Sequence, residues 1–358
     1  MTDTFRKRFF CAVSKVTTVA IAIVFVAATL VGATAAANKQ AVQITGAGAT
    51  FPYAIYSAWF AAYANLRPDV QINYLSVGSG AGIQQVSEQI VFFGATDTPM
   101  NEDEFQAAPS RIIHLPTVVG AVAAVYNLPG VPTGVKFDGQ VLADIFLGRI
   151  RNWNDPALVK LNPGIVLPPT DLTVVYRSDS SGTSFILGDF LSKVSPDWRR
   201  QYGPNRAPKL LVGLEAKGSE GISGLVKQTP GSIGYVELIY AIRNQLDMGA
   251  VLNSSGEFVM PSIAGAAASA AAAVPQMPRD FRVSITNAPG SGVYPISSFT
   301  WMLVYQNHHD KERSRLLVDF LRWAVTDGQA LAPPLGFAPL PAEIVKLEIA
   351  ALATVKTS

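Results

Sequence analysis

The residues Arg177-Ser178-Asp179-Ser180-Ser181-Gly182-Thr183-Ser184-Phe185 group a guanidinium, several hydroxyls and a glycine in one short stretch. The stretch follows a strand-like run, Leu172 to Tyr176. It precedes a helix-like one from Ser184 to Val194, with Ile186, Leu187, Phe190, Leu191 and Val194 at helical spacing. The first N–H groups of a helix lack internal partners and carry the positive end of its dipole. Small residues there let an anion approach the backbone, and an arginine adds a planar fork of donors. The chemistry this stretch suits is the holding of an oxyanion.

Two other loops share its grammar. Thr50-Phe51 and Ser79-Gly80 each follow a strand-like run, set a hydroxyl beside small residues, and begin a helix-like run. In open α/β folds such strand-to-helix corners, at the carboxyl ends of strands, are where ligands sit. Read singly, each hydroxyl serves as well as an ordinary N-cap, worth about 1 kcal/mol. Three such loops and Arg177 together favour an anion site built from neutral dipoles. Enzyme signatures are missing. The three histidines are His114, in a strand-like run, and the His308-His309 pair in a polar loop, with no further ligands at metal-binding spacing. There is no G-x-S-x-G elbow, no P-loop and no complete dinucleotide fingerprint. Serines without a credible base make a poor hydrolase.

The elements around these loops alternate. Strand-like runs at Ala41–Thr45, Gln71–Leu75 and Val91–Met100 are interleaved with helix-like runs from Pro52 to Ala64 and from Ser79 through Ile83, Val86 and Ile90. Extended runs at Ile112–Asn127, interrupted by Gly120, and at Tyr294–Tyr305 are long enough to carry the chain between two lobes. Lys311–Thr326 and Pro341–Leu352 read as closing helices, and residues 264–273, nearly all alanine, as a solvated helix packed lightly on a lobe. The class is α/β. A chain of 358 residues with 49% hydrophobic residues suits two lobes rather than one core.

The N-terminus has a basic start, an uncharged apolar run from Val16 to about Val31, and small residues around Ala35–Ala37. This reads as a cleaved signal peptide over residues 1–36. A retained membrane anchor is the alternative, and the decay of the run into Ala and Gly argues against it. Loss of Arg6, Lys7, Arg8, Lys15 and Asp3 with it takes the formal net charge from +2 to −1, which gives no support for a nucleic-acid partner. Cys11 is the single cysteine, so the exported chain has neither disulfide nor lipid attachment site.

Taken together, Thr45-Gly46-Ala47-Gly48-Ala49-Thr50-Phe51-Pro52, Phe93-Gly94-Ala95-Thr96-Asp97, Arg177 to Phe185, and Gly231-Ser232-Ile233-Gly234-Tyr235-Val236-Glu237 resemble the periplasmic phosphate-binding proteins of phosphate ABC importers. The likeness extends to Leu147-Gly148-Arg149-Ile150, Trp153-Asn154-Asp155 and Leu161-Asn162-Pro163-Gly164, and so over nearly the whole exported chain. It implies a two-lobed type II periplasmic-binding-protein fold, each lobe a mixed sheet flanked by helices. The expected division is 37–119 and 295–358 for one lobe and 120–294 for the other, with hinges near Val119-Gly120 and Tyr294-Pro295.

The same resemblance implies a phosphate site at Thr50, Phe51, Ser79, Asp97, Arg177, Ser181, Gly182 and Thr183, with Asp179 orienting Arg177. It implies no cofactor, metal or catalysis. The implied partners are inorganic phosphate, two permease subunits and an ATP-binding subunit dimer, with the receptor monomeric when free. Asp97 is the discriminating position: a carboxylate repels an anion unless the ligand brings a proton for it to accept. Phosphate carries one near neutrality and sulfate does not, so receptors for sulfate or molybdate are the runner-up, and a secreted phosphatase is a further alternative. Phe92, where the family commonly has Asp, and Ala81, where it has glycine, depart from the pattern outside the ligand positions.

Overall fold

The computed structural model describes residues 41–358, and the segment 1–36 read as a signal peptide lies outside them. The main sheet takes β1 (Val42–Gly48), β2 (Val70–Ser76), β3 (Phe93–Thr96) and β4 (Ile112–Asn127) from the first part of the chain. Short β5 (Lys136–Phe137) intervenes. The sheet then gains β6 (Thr173–Arg177), β7 (Leu214–Ala216), β8 (Ser232–Glu237) and β9 (Asp247–Met248). β10 (Ala250–Leu252) and β11 (Phe258–Val259) join β5 in a small separate sheet, and β12 (Ser297–Tyr305) returns to the middle of the large one. Neighbour order is β2-β1-β3-β12-β4-β8-β6-β7, with β9 beside β4.

β4 joins two half-sheets. Residues 112–121 pair antiparallel with β12, and Val122 to Asn127 pair antiparallel with β8. On one side β1 runs parallel to β2 and β3; on the other, β6 runs parallel to β7 and β8. The change of partner falls at Ala121/Val122, beside Gly120. There a Cβ would come within 2.5 Å of the Phe51 ring, so the ring needs this glycine. The run Val118–Val125 carries almost no polar residue because both faces of β4 are covered. The Gly120 interruption is not a break: one strand of 16 residues runs through it. The extended run at Tyr294 is shorter than its sequence suggests, since the strand begins at Ser297.

Helices cover both faces. Tyr53–Leu66 buries Ile55, Tyr56, Trp59, Phe60 and Tyr63, the stripe its spacing predicts. Lys311–Val325 buries Leu316, Leu317, Phe320 and Leu321 in the same way. Two expectations need correction. The helix from Ser79 stops at Ser87, and Ile90 lies beyond it with its side chain largely exposed. The alanine-rich helix, Ile263–Ala273, is not merely solvated. It seats Gly265, Ala266, Ser269 and Ala270 against β4 and β12, where a Cβ on Gly265 would fall 2.8 Å from that of Tyr294. Alanines serve there because the approach is close, not because the face is wet. Phe92 stacks edge-on against His308, with ring centroids 4.3 Å apart, which gives the departure at that position a local packing role.

Candidate functional site

Four loops meet where the two half-sheets face each other, and each sits at the carboxyl end of a parallel strand. Thr50 follows β1, Ser79 follows β2, Arg177 to Thr183 close β6, and Gly218-Ser219 follow β7. Asp97 comes directly after β3. Thr50, Phe51, Ser79, Asp97, Arg177, Ser181 and Thr183 are all buried, and Gly182 with them.

The sequence left open whether the three hydroxyls are N-caps. Ser181 is one, its Oγ accepting from Ser184 N at 3.2 Å. Ser79 is not. Its Oγ accepts from the backbone N–H of Asp97 at 3.2 Å and of Gly182 at 3.1 Å, and donates to Asp97 Oδ2 at 3.3 Å. That fixes the polarity of the hydroxyl completely. Thr50 is not a cap either, since its Oγ1 lies 2.9 Å from Ser219 Oγ. Thr183 Oγ1 is buried without a hydrogen-bond partner among the described residues, an arrangement that costs about 1–3 kcal/mol unless a ligand or water meets it.

Arg177 and Asp179 form a bidentate pair, Nε to Oδ1 at 2.7 Å and Nη2 to Oδ2 at 2.6 Å. Asp179 Oδ1 also accepts from Gly218 N at 3.1 Å. Burial raises the Asp179 pKa, but the bonds from Arg177 outweigh it and hold the carboxyl below its usual range. The guanidinium is thereby locked in one plane, with Nη1 directed to Ser219 Oγ at 3.4 Å.

Asp97 is the other charged group. Its Oδ1 accepts from Thr300 Oγ1 at 2.8 Å and its Oδ2 from Ser79. Burial pushes its pKa up to about 7 from 3.8, against the opposing pull of Thr300, Arg177 and Ser79. A carboxyl poised near neutrality and ringed by donors can accept or share a proton brought by an anion.

The two halves interlock. A Cβ on Gly182 would lie 2.5 Å from Ser79 Oγ and 2.7 Å from Asp97 Oδ2. Gly78, at φ +98°, faces Asp179 with room for no side chain, and Gly80 N donates to Ser180 O at 3.0 Å. The structure thus brings the expected residues to one place. Three of their partners escaped sequence reading. Ser219 had a usable signal, since Gly218-Ser219 also follows a strand and opens a helix. Thr300 on β12 and Tyr240, whose hydroxyl donates to Thr50 O at 2.8 Å, had none.

A model of the PBP superfamily domain matches residues 33–328. The phosphate-binding protein PstS of Pasteurella multocida is 40% identical over 314 residues, 87% of this chain and 90% of that protein. The chain belongs to the phosphate-binding protein family of that superfamily. PstS of Haemophilus influenzae is likewise 40% identical, over 86% of this chain and 91% of that one. Among solved structures, a high-affinity periplasmic phosphate-binding protein with phosphate bound superposes with a TM-score of 0.70 at 22% identity, covering 87% of this chain and 93% of that one. A phosphate-binding protein from Stenotrophomonas maltophilia gives 0.67 at 20%, over 87% and 94%. At these identities the likeness is one of fold, and the fold is the two-lobed type II periplasmic-binding-protein fold.

Proposed function

We propose that this family member is the periplasmic receptor that captures inorganic phosphate and hands it to a phosphate ABC importer. Thr50, Phe51, Ser79, Asp97, Arg177, Ser181, Gly182 and Thr183 form its binding shell, with Asp179 holding Arg177. The observation that carries this reading is the Asp97 carboxyl, buried inside a shell of donors with its pKa near 7. Such an acceptor suits an oxyanion that keeps a proton near neutrality. The names of the PstS relatives agree with it. The partners on this reading are two permease subunits and an ATP-binding subunit dimer, the free receptor being a monomer that performs no chemistry.

In this reading the lobes comprise residues 37–119 with 295–358, and 120–294, hinged near Val119-Gly120 and Tyr294-Pro295. Support comes from the partner change on β4 at Ala121/Val122. A ligand bridging Ser79 and Asp97 on one lobe and Gly182 and Arg177 on the other biases that hinge toward closure. Isothermal titration of the purified exported protein tests it. Phosphate should bind tightly, arsenate measurably and sulfate hardly at all; preference for sulfate would overturn the assignment. Turnover of a chromogenic phosphate ester would overturn the non-catalytic role.

A further inference from the structure

Ser219 belongs to no motif that pointed to the site, yet it touches two of its members from the start of the helix Gly218–Gln228. It is 1% exposed. Its Oγ lies 2.9 Å from Thr50 Oγ1 and 3.4 Å from Arg177 Nη1. Arginine has only hydrogens to offer, so Ser219 is the acceptor in the second contact. Thr50 and Ser219 together carry two hydroxyl hydrogens and use one of them between themselves. The other is left over to meet an acceptor, which is what an anion oxygen supplies. Thr50 is held a second time through its carbonyl, by the hydroxyl of Tyr240. Both restraints come from the 120–294 side, although Thr50 lies just ahead of the helix Tyr53–Leu66 on the opposite side.

We propose that Ser219 is a positioning residue of the phosphate site, bridging Thr50 and Arg177 across the cleft so that both present their donors together in the closed form. This rests on the phosphate-receptor reading. The physical argument is preorganisation: donors already fixed by neighbours lose less freedom when the anion arrives. The bridge exists only when the two sides are together, so it also favours closure.

Calorimetric titration of the whole exported protein with inorganic phosphate tests the proposal. Ser219→Ala should bind about three- to tenfold more weakly, the effect of one lost hydrogen bond near a charged group. Ser219→Thr, which keeps the hydroxyl, should recover most of that loss. Ser223 supplies the structural control. It is buried one turn further along the same helix, and its Oγ donates to Ser219 O at 2.8 Å without touching Thr50 or Arg177. Ser223→Ala should lower the unfolding midpoint and leave affinity unchanged.

A double-mutant cycle gives a readout that general destabilisation would not move. The Ser219→Ala penalty should shrink to less than half its size in a Thr50→Ala background. Phosphate affinity of Ser219→Ala equal to wild type, matched by Ser223→Ala, or strictly additive with Thr50→Ala overturns the positioning role alone. Absence of phosphate binding by the wild-type protein overturns the receptor reading, and this proposal with it.

Discussion

Gly182 donates its backbone N–H to Ser79 Oγ at 3.1 Å, so a loop after β6 is tied to the first turn of a helix that follows β2. The contact crosses between the half-sheets and uses a position where no side chain fits. Gly182→Ala would set a Cβ 2.5 Å from Ser79 Oγ and 2.7 Å from both Asp97 Cβ and Oδ2. The closed arrangement cannot absorb that. Phosphate affinity should fall at least a hundredfold with little change in the unfolding midpoint of the ligand-free protein. Titration with parallel thermal melts checks this, and a variant retaining affinity within tenfold contradicts it.

Asp97 makes stability depend on pH in a definite direction. Its folded pKa of about 7 lies above its ordinary 3.8, so the folded state holds a proton that the unfolded chain has released in that interval. Stability from this group is therefore full below about pH 4 and lost as pH rises toward 7, at most roughly 4 kcal/mol at about 1.4 kcal/mol per unit. Urea unfolding of the phosphate-free protein and of Asp97→Asn between pH 4 and 8 should show this fall as the difference between the two. The difference is needed because buried His114, its pKa pushed down to about 3, gives the opposite slope, and buried Glu237 and Glu348 add to the fall in both proteins. The same variant should narrow the preference for phosphate over sulfate, because an amide can donate to an unprotonated oxyanion. Equal preference in variant and wild type would count against the carboxyl as selector.

Thr300 donates to Asp97 Oδ1 at 2.8 Å, and a donor to a carboxylate favours its ionised form. Thr300→Val removes that donor at nearly constant volume. The Asp97 titration, followed by the carboxyl carbon resonance, should move to higher pH. A midpoint unchanged or moved to lower pH contradicts the role assigned to Thr300.

Charge also spans the cleft at its rim. Glu102 and Glu104 begin a short helix, Glu102–Ala107, and pair with Arg282 (3.4 Å) and with Arg206 on the opposite side. Glu102 is largely exposed and the other groups are partly so, and solvent screening leaves such pairs little net stability. Glu102→Gln with Glu104→Gln should speed phosphate release two- to fivefold in stopped-flow measurements at low salt. The difference should vanish near 1 M salt, where the screening length drops to about 3 Å. A salt-independent difference would point to a packing cause instead.

The alanine-rich helix gives a stability test away from the site. A Cβ on Gly265 would lie 2.8 Å from Tyr294 Cβ and 3.2 Å from its backbone N. Gly265→Ala should cost about 1–3 kcal/mol in urea unfolding despite alanine's better helix propensity. A stabilised variant would contradict the close packing.

The local pieces were written in the sequence because each is a short-range pattern. Helical spacing placed Tyr56, Trp59 and Phe60 inward, alternating strand and helix runs gave the α/β class, and small residues with a hydroxyl marked the strand-to-helix corners. Glycine next to a catalogue of donors at Arg177–Thr183 named the chemistry. Sequence could not say which hydroxyls were merely caps. That depended on whether a partner stood across the cleft, as Ser219 does for Thr50 and Gly182 for Ser79. It could not foresee the tight seat of residues 263–273 either, since an alanine run is as compatible with water as with a close neighbour.

The sequence by itself determined most of the elements and the small-residue corners suited to an anion, because those follow from residue type and spacing along the chain; Asp97 was marked only through the family resemblance. Only the tertiary structure decided the rest. Burial raises Asp97 toward neutrality, and residues as far apart as Asp97 and Thr300, or Thr50 and Ser219, come within hydrogen-bond reach. Desolvation and proximity are properties of the folded packing, and no local pattern encodes them.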